Sequence, residues 1–232
     1  MAESHGSMPM PVEALGVNAR ATFIVRTYTH LLLAILGFVL IEVFFFTSGL
    51  ARPMAEAMLG VNWLLVLGGF MVVSWLASRA AHTARSKGAQ YAALAGFVVA
   101  EAIIFVPLLF IAQYYADGGV IESAAMVTLV GFGALTGIVF WTRKDFSFLG
   151  AILKWAMVLA LAAIVGAVAF GFELGTWFSL AMVGLAGAAI LYDTSNVLHH
   201  YPEDRYVAAA LQLFASVALM FWYVLRLFMS RD

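Results

Sequence analysis

The chain has 232 residues, of which 64% are hydrophobic and 11% charged, with a formal net charge of −1 and no cysteine. Its mean hydropathy of +0.99 lies far from the half-apolar, quarter-charged balance of a soluble domain, in the direction of a polytopic membrane protein. The charge leaves no electrostatic footprint for nucleic acid. The lack of cysteine excludes disulfides, thiolate catalysis and Cys-based zinc sites.

Residues 1–20 are small and polar with two prolines, and lack the charged start and short apolar core of a secretory signal. They read as a mobile cytoplasmic tail, with residues 21–232 forming one membrane domain. A helix needs roughly 20 apolar residues to cross the hydrocarbon. Seven stretches qualify: Phe23–Thr47, Val61–Ala77, Tyr91–Tyr114, Val120–Trp141, Leu149–Phe170, Gly175–Val197 and Val207–Met229. The second is short and extends as far as Arg79 if that residue is included. Short loops imply one all-α bundle of seven transmembrane helices with antiparallel neighbours, a monomer being favoured.

Lys and Arg placement sets the orientation. With the N-terminus inside, Arg20, Arg26, Arg79, Arg85, Lys87, Arg143, Lys144, Lys154 and Arg205 face the cytoplasm. Only Arg52, Arg226 and Arg231 remain outside, and the C-terminus is outside as well. Small residues mark close helix contacts, since lipid supplies no hydrophobic drive between helices. The GxxxG of Gly133-Ala-Leu-Thr-Gly137 in the fourth span reads as packing within the monomer rather than a dimer seam. Gly184 and Gly187 smooth the sixth span. Pro107 is expected to kink the third.

Ionisable groups at membrane depth are costly, and so they are the first candidates for function. Asp193 lies about one turn from the inner end of the sixth span, in the same layer as Arg79 and Lys154. An acid and a base at one depth can pair. Lys154 is better read as reaching for lipid phosphates, while Arg79 either does the same or partners the buried acid. Glu101 sits near the middle of the third span, where a charged carboxylate costs about 3 kcal/mol unless paired or hydrated. It either lines a watered path or stands as a neutral acid donating one hydrogen bond. Glu42 is close enough to the outer end of the first span to reach the interface. His199 and His200, on the inner loop, are either a solvated helix cap or a pH sensor.

The residues do not suit an enzyme. Tyr192-Asp193 resembles half of an intramembrane aspartyl protease site, but Asp193 is the only Asp within a span, and that chemistry needs two. His-Glu-x-x-His, a Gly-x-Ser-x-Gly elbow and a phosphate-cradling Gly-Lys-Ser/Thr are all absent from the sequence. No catalytic residue, cofactor or metal site is expected.

Two stretches carry a family resemblance: Thr142-Arg-Lys-Asp-Phe-Ser-Phe-Leu-Gly150, and Ile190-Leu-Tyr-Asp-Thr-Ser-Asn-Val197 together with the last span and its ending Ser230-Arg-Asp232. With them the chain resembles the bacterial branch of the Bax inhibitor-1 family, also called the transmembrane Bax inhibitor motif family. The resemblance implies a last helix near the centre of the bundle and an inner-membrane location. For some members it implies a pH-sensitive calcium leak, and for a bacterial one, modulation of an FtsH-type membrane protease. In the leak, an acid on the sixth helix shares a proton with an acid on the seventh, and an arginine at the inner end of the second pairs with them. Asp193 matches the first acid and Arg79 the arginine. At the second acid's position stands Ser216, which cannot share a proton in that way.

Two functions follow as expectations. One is a passive cation route, calcium being the permeant ion, with Asp193 at its cytoplasmic gate, Arg79 holding it, Ser216 beside it and Glu101 deeper. The other is an interaction protein that restrains an FtsH-type protease, which grips residues 1–20. The neutral Ser216 favours the second.

Overall fold

In lipid each backbone N–H and C=O must find its partner within the protein, and a helix is the one local structure that does this along a single apolar run. A computed structural model describes residues 11–230 of the chain, and among these the seven apolar runs are seven long helices. They are α1 (Val17–Thr47), α3 (Trp63–Thr83), α4 (Lys87–Tyr115), α5 (Val120–Thr142), α6 (Leu149–Phe170), α7 (Gly175–His199) and α8 (Tyr206–Met229), with a short α2 (Ala51–Leu59) between the first two.

Several helices outrun the apolar windows. α1 starts six residues earlier than expected, α3 ends six residues later and α4 starts four earlier. Charge at a helix end is no obstacle when it reaches water, so hydropathy marks the hydrocarbon and not the helix. The start of α3 is fixed by Asn62, which accepts from the Leu64 amide at 2.9 Å, and that of α4 by Ser86, which accepts from the Ala89 amide. α4 continues through Pro107 as one helix.

α2 lies where the sequence predicts only a short connection between spans. It is amphipathic, with Ala51 and Ala55 buried against Val106 of α4. Its exposed face carries the Arg52–Glu56 pair at 2.9 Å. Pro53 in its first turn removes an N–H that has no intrahelical partner anyway.

α8 is the central helix. It packs on α1, α3, α4, α5 and α7, and 72% of its apolar window is buried, against 11% for α3 and for α6. α6 is peripheral and rests on α7. The middle is aromatic: Phe105 of α4 meets Trp222 edge-on at 4.9 Å and Phe38 of α1 edge-on at 5.1 Å. Such pairs add dispersion and quadrupole attraction where lipid offers no solvent-driven association.

Gly133 and Gly137 do not pack inside the monomer as expected. They are exposed, and a Cβ built on either meets nothing. Gly187 does make the expected close contact, with Leu135 and Met220. The tail assignment also changes. Pro11 bridges Pro202, and the Val12 amide donates to the Tyr201 carbonyl at 2.9 Å. Val12 is completely buried, and α1 begins at Val17. The chain is therefore docked from Pro11 onward, while the rest of the expected tail, residues 1–10, lies outside the described residues, as do Arg231 and Asp232.

Candidate functional site

The starts of α1, α4, α6 and α8 and the ends of α3, α5 and α7 share one end of the bundle, to which nine basic residues belong, those from Arg20 to Arg205 other than Arg52. Its loops are tied together. Arg205 donates to the Ala84 carbonyl at 2.7 Å, and Lys87 donates to the Asp204 carbonyl.

Asp193 sits in the last turns of α7 at this end and is 94% buried, since 6% of its surface remains exposed. Its Oδ2 accepts a hydrogen bond of 2.5 Å from Ser216 Oγ on α8, itself buried. Around it is a layer of buried hydroxyls. Tyr28 of α1 faces Thr136 of α5 and Thr194 of α7 closely enough for the side chains to interact, without a well-aligned hydrogen bond on any of the three oxygens. Buried polar atoms left short of one another are where bound water or another polar guest is stabilised.

Arg79 does not join this site. It is exposed on α3 with its guanidinium over the Trp75 ring, 5.3 Å from the centroid. The ion pairs among the described residues are Arg52–Glu56, His200–Asp145 and Arg205–Asp204. The expected Arg79–Asp193 pair is therefore absent, since Arg79 lies on an exposed face of α3 and Asp193 is buried. Lys154 is exposed on the outer helix α6, as a lipid-facing lysine would be. The α3 side chain that reaches across to the loop after α7 is that of His82, three positions on. Its Nδ1 donates to the Ser78 carbonyl at 2.8 Å, and its Nε2 accepts from the Tyr201 hydroxyl at 3.2 Å. Burial, and secondarily the negative charge of Asp193, hold the Tyr201 phenol above its usual range. Tyr201 thus links α3, the Pro11–Ala14 turn and the Asp193 neighbourhood.

Glu101 is buried within α4 and has no hydrogen bond or ion pair among the described residues. Glu42 is also buried, at 7% exposure, with both carboxylate oxygens unpartnered. It does not extend to the interface as expected.

The two histidines differ. His199 is buried, and its Nδ1 donates to the Ser195 carbonyl of its own helix at 2.9 Å. His200 is exposed, and its Nε2 donates to Asp145 Oδ2 at 3.1 Å. That contact belongs to a second cluster, which joins the two sequence stretches quoted above. α5 ends at Arg143 in a left-handed turn (φ 51°), which bends the chain back over the bundle. Asp145 Oδ1 then accepts from the Ser147 amide at 2.8 Å and from Ser195 Oγ at 3.2 Å, while the Phe146 amide donates to Ser195 Oγ at 2.8 Å. The Ser147 amide, foremost, and the Ser147 and His200 side chains hold the Asp145 carboxyl down at about 2. One residue past the loop, Gly150 lets α6 close onto Tyr192, and a Cβ there would lie 2.8 Å from the ring. Asp145, Ser195 and His82 were missed as site residues. A one-turn shift on α3, and the side-chain hydrogen-bonding habit of Asp-x-Ser loops, were the available signals.

Among the described residues no group of three or more His, Asp or Glu is arranged to hold a metal ion.

A family model described as Inhibitor of apoptosis-promoting Bax1 matches residues 20–232. The chain belongs to this Bax inhibitor family. Both quoted stretches and all seven long helices bar the first three residues of α1 lie within that match. Individual members resemble it over shorter lengths. A BI1-like protein of Arabidopsis thaliana is 31% identical over 124 residues, which is 50% of this chain and 47% of the relative. The Modulator of FtsH protease YccA of Escherichia coli is 33% identical over 118 residues, 50% of this chain and 53% of the relative. A Golgi anti-apoptotic protein of vaccinia virus is 30% identical over 139 residues, 58% and 55% respectively. The matches span about half the length of these relatives. Their names describe modulators and anti-apoptotic proteins, and the Bax inhibitor fold here is that of a multi-pass membrane protein.

Proposed function

We propose that this protein is a cation leak of the bacterial inner membrane, oriented with its basic end in the cytoplasm, and that Asp193 is the gate. The observation that carries this reading is the buried Asp193 carboxylate held by one neutral hydroxyl, that of Ser216. A lone hydrogen bond between helices α7 and α8 is readily exchanged for another oxygen or for an ion. Calcium, the ion that the family resemblance implies, takes oxygen ligands, and Asp193, Ser216 and the poorly aligned hydroxyls of Tyr28, Thr136 and Thr194 are oxygen donors. Glu101 extends the acidic character deeper along α4. Calcium entry into vesicles containing the purified protein, against vesicles without it, is the test; entry no faster than in empty vesicles removes the reading.

A second reading is favoured by the Escherichia coli relative whose name is Modulator of FtsH protease. Here the protein binds an FtsH-type protease in the same membrane and slows its work. Co-purification with such a protease supports it. Unaltered turnover of the protease's substrates when this protein is deleted counts against it.

A further inference from the structure

A cavity of about 610 Å³ lies between α1, α4, α5 and α8, running from the level of Phe214 toward the end of the bundle opposite the basic one. Phe38, Phe46, Leu109, Phe214 and Phe221 make its wall apolar. Its volume is that of a small-molecule site, and such sites pair an apolar lining with a few polar groups that orient the guest.

Here those groups are Glu42 and Thr128. Both are more than nine-tenths buried, and neither has a partner for its side-chain oxygens. Glu122 stands on the same wall, and no Lys, Arg or His does among the described lining residues. A carboxylate and a hydroxyl buried without partners are costly, and the cost is relieved by a guest that donates hydrogen bonds and carries positive charge. The lining sets the rest of that guest: an apolar body, in contact with aromatic rings, behind a single cationic head.

We propose that this cavity binds lipophilic primary amines, with the ammonium held by Glu42 and Thr128. Both Glu42 oxygens and the Thr128 hydroxyl are occluded in the present conformation, so engaging the ligand turns both side chains into the lumen. The site is separate from Asp193, whose partner Ser216 is not among the lining residues, and it stands whether or not the protein passes ions.

The test uses the full-length protein in phosphatidylcholine nanodiscs, titrated calorimetrically with phenylbutylamine and with phenylbutanol, with protein-free discs subtracted. The wild type binds the amine about tenfold more tightly than the alcohol, the margin expected of a charge-assisted hydrogen bond. Glu42→Gln abolishes that preference and leaves alcohol binding in place. Ala125→Phe, which fills the lumen, removes both. Equal affinities in the wild type, or a preference that survives Glu42→Gln, overturn the proposal. If Glu42→Gln does not fold, Ala125→Phe decides alone: retained amine binding in that variant is fatal to the site. Repeating the titration in phosphatidylethanolamine discs identifies the source. Weaker amine binding there marks the lipid headgroup as the natural guest, and unchanged binding marks a free amine.

Discussion

Ser216 on the central helix donates to Asp193 across 2.5 Å, and this bond joins α8 to the acid buried in the last turns of α7. Removing the hydroxyl leaves a buried carboxyl without a partner. Ser216→Ala is therefore expected to lower stability by about 1–3 kcal/mol. Thermal unfolding of the purified variant in detergent measures it, and an unchanged midpoint means that the hydroxyl holds nothing.

Arg79 gives the opposite expectation. Its guanidinium contacts the exposed Trp75 ring and no carboxylate. Loss of an exposed cation–π contact is worth about 0.5–1 kcal/mol, so Arg79→Ala unfolds close to the wild-type temperature. A penalty of about 3–5 kcal/mol, typical of breaking a buried ion pair, would restore the Arg79–Asp193 bridge that the structure lacks.

The Asp145 loop is predicted to be insensitive to pH across the physiological range. Its folded-state value of about 2 lies below the usual 3.8, through hydrogen bonds from Ser147 and His200. A depressed carboxyl contributes stability that is present above about pH 4 and is lost as pH falls through 2. The side chain is 46% exposed, which keeps the contribution near 1 kcal/mol or below. Spin labels on cysteines introduced at Lys144 and Glu203 report the docking, and the cysteine-free background makes the labelling specific. From the Asp145 carboxyl alone, the distance distribution stays unchanged between pH 8 and pH 5 and broadens below pH 4. Asp145→Ala broadens it at every pH, and a narrow distribution in that variant would contradict the docking geometry.

Gly150→Val tests the seam between α6 and α7. The added side chain enters space held by the Tyr192 ring, and overpacking of this kind costs about 1–3 kcal/mol. Gly133→Val, on an exposed face where a Cβ meets nothing, is the control and leaves the unfolding midpoint in place.

The seven crossings and the centrality of the last helix were legible in the sequence, because apolar length determines the first and the family resemblance implied the second. Helix ends were not. Charged residues such as Arg20, Arg79 and Lys87 continue a helix past the hydrocarbon, so hydropathy stops short of them. Depth was legible for Asp193, but its partner was only partly so. Ser216 was identified through the family pattern, whereas Arg79 shares the depth of Asp193 and faces elsewhere. Depth follows from counting along a helix, while facing depends on how each helix is rotated against its neighbours, and a uniformly apolar helix carries little record of that. His82 and Tyr201 escaped notice for the same reason, as did the Gly133–Gly137 pair, whose small face turns outward.

The gate assignment rests on Asp193 meeting a cation, and calcium flux measured side by side for the wild type and Asp193→Asn probes that contact without intermediaries. Protein in vesicles loaded with a calcium dye should admit calcium faster than protein-free vesicles, with Asp193→Asn slowed toward the protein-free rate while keeping its helical content. Wild type and Asp193→Asn admitting calcium at one common rate, that of vesicles without protein, would contradict it.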